Sequence, residues 1–137
     1  MSTEKLRHEA QRWLDQAKAD LRAAESSLAA GSFEWACFQS QQAGEKALKS
    51  LYFFSGYDPW GHSITKLIQD LPDKALALSL QGFVDHARHL DKLYIPTRYP
   101  NGLPDLTPFE VYTEEDARKA IDTARELIEE IASRIEV

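Results

Sequence analysis

The sequence has little cysteine and no long apolar run. Its 137 residues include a single cysteine, Cys37, which excludes an intrachain disulfide. No apolar run approaches the roughly 18 residues that a membrane span requires, and the charged N-terminal segment lacks the apolar core of a secretory signal. These absences predict a cytoplasmic protein without a membrane partner, in which Cys37 is a buried structural thiol rather than a nucleophile.

Positive charge is also scarce. Sixteen basic residues face 22 acidic ones, and the formal net charge is -6. DNA binding is therefore not expected, because general nucleic-acid binders are basic over much of their surface. The deficit is local, however, since residues 110–137 hold nine acids and four bases. The other 109 residues are nearly neutral, which leaves room for a local site for an anion.

Gly-rich phosphate loops and the alternating pattern of strands are absent as well. Apolar residues recur instead at helical spacing, and Thr113 followed by three acids is typical of a helix start. The sequence predicts one all-α domain over residues 1–137, an up-and-down antiparallel four-helix bundle with one extra short helix. The predicted helices run from about Leu6 to Leu28, Phe33 to Phe54, Ser63 to Leu71, Asp73 to Leu93, and Thr113 to Ile135.

Prolines define a segment that we expect to be non-helical. Within residues 95–112 a proline recurs at every fourth position, and each removes a backbone donor and restricts the residue before it. Aromatic side chains in and around this segment are expected to hold it against the body of the domain. The prolines are Pro96, Pro100, Pro104 and Pro108, and the aromatic residues are Tyr94, Tyr99, Phe109 and Tyr112.

The second predicted helix carries a face of mixed character. Trp35, Phe38 and Tyr52 share one stripe with polar residues, which indicates either a partner or ligand face or additional intrachain packing. The polar residues have two interpretations of their own. They form either a solvated face with one ion pair or a phosphate site with two ammonium groups and an orienting amide. Gln42, Glu45 and Lys49 lie in the stripe, and Lys46 is their neighbour on the helix.

Arg98 lies in the proline segment, beside Tyr99. A guanidinium on a rigid aromatic loop is suited to binding an anion with two parallel hydrogen bonds. The alternative is structural, with Arg98 capping carbonyl groups at the end of the fourth predicted helix or pairing with a carboxylate, for which Glu45 is the expected partner. His62 is a candidate base or helix cap, although the sequence identifies no group that would orient it.

Histidines of the fourth predicted helix raise the question of a metal. His86 and His89 are three positions apart, so their rings can converge, but the neighbouring Asp85 points elsewhere on a helix. Two ligands fall short of the three or four that zinc sites use. We therefore expect neither a metal nor another cofactor.

Several motifs, taken in order, resemble the HEPN family. The first is W-L-x(5)-D-L-x(6)-L from Trp13 to Leu28, and the second is Q-Q-A-G-E-K-A-L-K from Gln41 to Lys49. A turn at His62, an Arg-Tyr-Pro loop at residues 98–100 and the Tyr-Thr entry into the last helix complete the set. The resemblance covers nearly the whole chain.

The resemblance implies a helical bundle, commonly a homodimer, that acts with a small nucleotidyltransferase in a toxin–antitoxin-like pair. Many members are metal-independent ribonucleases with an Arg and a His four to six residues apart. This sequence departs from that pattern, because no histidine follows Arg98 and Arg88 directly precedes His89.

The resulting hypothesis is a binding and assembly module for a nucleotide or RNA. The alternatives are a ribonuclease toxin with a non-standard site built from Arg98, His62 or His89, and a purely structural dimeric protein. Whether the chain is an enzyme therefore stays open. The candidate ligand-binding residues are Gln42, Glu45, Lys46, Lys49, His62, Arg98 and Tyr99.

Overall fold

The computed structural model describes residues 2–136, and within that range it contains helices and no strands. The predicted all-α class is confirmed. Two single 3-10 turns, at Gln81–Phe83 and Pro100–Gly102, lie between α-helices. The α-helices are α1 (Thr3–Ala29), α2 (Phe33–Phe54), α3 (Ile64–Gln69), α4 (Lys74–Ser79), α5 (Val84–Asp91), α6 (Pro108–Val111) and α7 (Glu114–Ile135).

Helices α1, α2 and α7 form the frame, and each packs against the other two. Small side chains line their contacts, which lets the helix axes approach closely. Leucines and isoleucines such as Leu14, Leu48 and Ile131 fill the layers between them and are fully buried. The alanines at these contacts have no exposed surface: Ala10, Ala17, Ala24, Ala36, Ala43, Ala47, Ala117, Ala120 and Ala124.

The ends of the three long helices differ in how they are capped. Gly31, at φ +80°, follows α1 and supplies the left-handed residue at which many helices end. Thr113 begins α7 with a capping box, in which its hydroxyl accepts from the Asp116 amide and the Asp116 carboxylate accepts from the Thr113 amide. Ser32 occupies the cap position of α2, but its side chain makes no capping hydrogen bond.

The predicted fourth helix is wrong in one respect, because it is not continuous. Asp73 caps its start as expected, yet the α-helix ends at Ser79, passes through a 3-10 turn and begins again at Val84. Gly82, in that turn, is a weak helix former. The apolar spacing carries on across the break, so periodicity alone does not reveal it. Among the short helices, α3 and α5 pack against α2 and against each other, and α5 also packs against α7.

The proline segment is the second correction, because residues 95–112 contain a short helix. Pro108 stands at the first position of α6, where a missing amide hydrogen costs nothing, and Thr107 forms a capping box with Glu110. Pro100 opens the 3-10 turn in the same way. Buried Thr97 donates to the Leu93 carbonyl at 2.6 Å and anchors the segment to the end of α5.

Within residues 2–136, no helix combines the length and apolar character needed to cross a membrane.

Candidate functional site

Residues of the Gln41–Lys49 motif point to two different faces of α2. Glu45 and Lys49 lie beside His62, whereas Lys46 faces α1 and forms an ion pair with Asp20 at 2.6 Å. The expected pairing of the Lys46 and Lys49 ammonium groups at one phosphate therefore has no counterpart in this geometry. The physical reason is that each ammonium has its own carboxylate partner, Asp20 on α1 for Lys46 and Glu45 on α2 for Lys49.

Glu45 is the centre of the first face. Its carboxylate is only 5% exposed and would be costly to bury alone. Lys49 donates to Oε2 at 2.9 Å, and the buried amide of Gln41 donates to Oε1 at 3.1 Å. His62 adds a third contact, with Nδ1 3.2 Å from Oε2. The carboxylate is thereby satisfied from its own helix and from the loop before α3.

His62 is exposed but not free to move. Although 58% of its side chain is exposed, the ring stacks on Tyr94 with centroids 4.8 Å apart and an interplanar angle of 18°. The backbone carbonyl of His62 accepts from Gln41 at 3.3 Å. Glu45 is the orienting partner that the sequence could not identify. The loop that presents His62 turns at Gly61, whose φ of +89° favours glycine.

Asp91, at the end of α5, fixes the beginning of α3. Its carboxylate accepts from the amides of Ile64 and Thr65 at 2.6 and 3.1 Å, and from the Ser63 hydroxyl at 2.8 Å. A carboxylate is favoured at a helix N-terminus, where amides are otherwise unpaired. Because residues 63–65 follow His62 directly, Asp91 also determines where His62 stands.

Arg98 is held by one carbonyl and three rings. Its Nε donates to the Tyr94 carbonyl at 2.9 Å, and its guanidinium carbon lies 4.2, 4.6 and 5.2 Å from the ring centroids of Phe38, Tyr94 and Tyr99. Arg98 therefore caps a carbonyl group after α5, which is one of the two predicted structural roles. The other, an ion pair with Glu45, is wrong. Lys49 and His62 occupy Glu45 instead, and Arg98 forms no ion pair within residues 2–136.

Aromatic side chains extend the surface beside Arg98. Trp35 meets Phe38 edge-on at 6.2 Å, and Phe38 lies 6.3 Å from Tyr94. Trp35 and Tyr99 are 48% and 51% exposed. We call Trp35, Phe38, Tyr94 and Tyr99 the aromatic platform. Tyr52, from the same stripe of α2, is buried and donates to the Leu67 carbonyl, so the stripe serves both surface and core.

Two further site residues, Gln41 and Asp91, are not among the candidates that the sequence predicts. Gln41 is fully buried and also accepts from the Gln42 amide at 2.8 Å, which links Gln42 to the Glu45 cluster. The doubled glutamine in the motif was its only signal. Asp91 had no signal, because its role depends on α5 lying against α3.

Histidines of α5 diverge rather than converge. His86 lies 2.5 Å from Glu126 on α7, whereas His89 Nε2 is buried without a hydrogen-bond partner among residues 2–136. Burial lowers the pKa of His89, and the nearby Lys119 and Lys92 lower it further. No group of three potential metal ligands occurs in the described part of the chain. The buried His89 nitrogen also makes this residue a poor candidate for the non-standard ribonuclease site.

Cys37 and the groove beside α1 offer no reactive group. Burial, together with Asp116 and Glu34, raises the pKa of the Cys37 thiol to about 12. The groove, of about 580 Å³, is lined by polar groups that largely satisfy one another. Glu9, for example, accepts from both Trp13 and Arg12.

The chain is an all-α helical bundle built around α1, α2 and α7. A family model described as HEPN domain matches residues 10–135. The chain belongs to the HEPN domain family.

Solved structures agree with that assignment. TT1696 from Thermus thermophilus is 41% identical with a TM-score of 0.84, and the match covers 91% of this chain and 97% of that one. ST0689, an archaeal HEPN homologue, is 36% identical with a TM-score of 0.76 over 93% and 98%. The HEPN domain protein tm0613 from Thermotoga maritima is 29% identical with a TM-score of 0.66 over 91% and 98%. Among curated proteins, none matches the chain.

Proposed function

We propose that this chain binds a nucleotide or RNA, with a phosphate of the ligand held by Arg98 beside the aromatic platform. One observation carries the proposal. Arg98 is fixed through Nε and three rings, yet its two Nη atoms donate to no group within residues 2–136. A guanidinium that is already ordered loses little entropy on binding, and its free edge matches the geometry of phosphate.

Local charge supports an anionic ligand. Lys49 pairs with the buried carboxylate of Glu45, and Arg98 forms no ion pair within residues 2–136, in a protein whose net charge is -6. The exposed rings of Trp35 and Tyr99 offer surfaces on which bases can stack. Phosphate binding and base stacking at adjoining positions suit a nucleotide better than an inorganic anion.

The test is a binding titration by fluorescence anisotropy with labelled ATP and a labelled short single-stranded RNA. Arg98→Ala should weaken binding by about tenfold or more, the value of one charge-assisted hydrogen bond of 1.5–3 kcal/mol. Arg98→Lys should recover part of this loss, because lysine restores the positive charge but not the two parallel N–H donors of the guanidinium. Arg88→Ala is the matched control, since Arg88 is exposed and pairs with the exposed Asp85 on its own helix. Equal affinity of the wild type and Arg98→Ala would refute the phosphate site.

The module is further proposed to work as a homodimer and with a small nucleotidyltransferase, in a toxin–antitoxin-like pair. Family membership supports this, as do Ile95, Leu106 and Phe109 of the proline segment, whose side chains are exposed. Co-expression with any nucleotidyltransferase encoded nearby should yield a complex that Phe109→Glu weakens. A monomer by light scattering would contradict the homodimer. The absence of a neighbouring nucleotidyltransferase gene would contradict the proposed partner.

A ribonuclease is the second candidate function. The observation in its favour is the Glu45–His62 pair, in which a buried carboxylate holds an exposed imidazole as general bases are held in many enzymes. Cleavage of RNA in the presence of EDTA, lost in His62→Ala, would establish it. Binding without cleavage leaves the binding module, and neither binding nor cleavage leaves a structural protein.

A further inference from the structure

The contacts of His62 suggest more than a helix cap. Exposed side chains are ordinarily mobile, yet this ring is held by Glu45 at Nδ1, by the Tyr94 ring and, through its backbone, by Gln41. Arg98 lies over the same Tyr94 ring, with its guanidinium carbon 4.6 Å from the centroid. His62 and the proposed phosphate contact therefore share one aromatic neighbour.

We propose that His62 is a second, protonation-dependent contact of the phosphate site, and that Glu45 is the positioning residue that orients it. This inference rests on the proposed function. Because Glu45 accepts from Nδ1, the outer nitrogen, Nε2, is left for the ligand. Neutral imidazole presents a lone pair there, which repels a phosphate oxygen. Protonated imidazole presents an N–H and a positive charge, which bind it.

Charged groups of both signs surround His62, and each carboxylate among them already has partners of its own. From α2, Glu45 faces the ring and is shared with Lys49. From the segment after α5 come Tyr94 and Arg98. Asp91 of α5 is engaged by the amides of residues 64 and 65. Protonation of His62 adds one positive charge to this cluster, so the site should bind anions more tightly as the pH falls.

The experiment measures the dissociation constants of ATP and a short single-stranded RNA for the wild type and His62→Gln across about pH 5.5–8.5, the range in which histidines change charge. The ratio of the two constants is the readout, because it removes any titration of the ligand itself. We expect the wild type to bind about tenfold more tightly than His62→Gln at the acidic end and equally at the alkaline end. His8→Gln, altered at an exposed position in α1, is the control.

Glu45→Gln tests positioning separately from folding. The amide does not hold Nδ1 as a carboxylate does, so Glu45→Gln should weaken ligand binding in the wild type and leave binding by His62→Gln unchanged. A merely structural role would lower the melting temperature and weaken binding equally in both backgrounds. A ratio that stays constant with pH overturns this inference alone, provided that binding still depends on Arg98. No binding of either ligand at any pH overturns both proposals.

Discussion

Two ion pairs on neighbouring faces of α2 look alike and serve different ends. Lys49–Glu45 and Lys46–Asp20 have similar distances, 2.9 and 2.6 Å, and come from the same nine-residue motif. The Lys49 and Glu45 side chains are 12% and 6% exposed, against 26% and 16% for Lys46 and Asp20. The first pair supports His62, and the second ties α2 to α1. The pair at the candidate site differs from the structural pair in two ways: it is more buried, and its carboxylate also contacts His62.

The two faces also differ in what is left unpaired. On the Lys46 side, the groove beside α1 contains acids and bases in contact with each other, such as Arg12 with Glu9. On the Glu45 side, the Nη atoms of Arg98 and the Nε2 atom of His62 have no hydrogen-bond partner within residues 2–136. A ligand binds to groups whose hydrogen-bonding capacity is not already used within the protein. We therefore propose that the ligand binds on the Glu45 side of α2.

The largest expected effect follows from this difference in burial. Lys49→Met should lower the free energy of unfolding by about 3 kcal/mol, because it leaves the buried Glu45 carboxylate without its cation. Lys46→Met should cost about 1 kcal/mol or less, since Asp20 can be reached by water. Urea denaturation of both variants measures the comparison.

Equal losses in the two methionine variants would contradict the distinction between the two faces. Lys18→Met is a suitable reference, because Lys18 also pairs across helices but is 37% exposed. Its loss should not exceed that of Lys46→Met.

The second effect concerns the support of His62. Asp91→Ala should cost about 1–2 kcal/mol, as loss of an N-terminal helix cap does, because the amides of Ile64 and Thr65 lose their acceptor. It should also weaken ligand binding at acidic pH, since the loop that carries His62 is released. Asp85→Ala, on the exposed side of the same helix, is the control for stability. Unchanged stability in Asp91→Ala would remove Asp91 from the site.

Local rules were sufficient for most of the frame. The ends of α2 follow from its apolar period and the beginning of α7 from its cap, and both signals act within a few residues. Glu45, Lys49 and His62 were identified through motif positions, and they do lie together.

Long-range packing decided the rest. The sequence could not assign Lys46 to Asp20 or exclude Glu45 as the partner of Arg98, because both depend on how helices are rotated against each other. Asp91 is a site residue only through tertiary contacts, because it lies on α5 and binds the beginning of α3. The break in the predicted fourth helix was missed since its apolar spacing continues through Gly82.

A smaller effect is expected where α2 touches the short helices. A Cβ atom at Gly44 would lie 2.7 Å from Leu90 Cδ1 and 3.0 Å from Ile64 Cδ1, so Gly44→Ala forces both side chains to shift. Overpacking of this kind costs about 1–3 kcal/mol, and the gain in helix propensity of about 1 kcal/mol offsets part of it. We expect a net loss of about 1 kcal/mol by urea denaturation. Gly82→Ala, with no atom within 4 Å of the new Cβ, should show no loss. A stabilised Gly44→Ala protein would contradict the close approach.

The smallest effect separates His89 from His62. The folded protein holds the His89 pKa below the ordinary 6.5 through burial and the nearby Lys119 and Lys92, so the unfolded chain takes up a proton first as the pH falls. The contribution to stability is therefore complete above pH 6.5 and is lost as the pH drops towards the lowered pKa of the folded state. His89→Gln should flatten the acid side of a plot of melting temperature against pH and leave the pH profile of ligand binding unchanged. His62→Gln should do the reverse, altering the binding profile far more than the stability profile. If His89→Gln changed the binding profile instead, the division between His89, whose Nε2 is buried, and the exposed His62 of the site would fail.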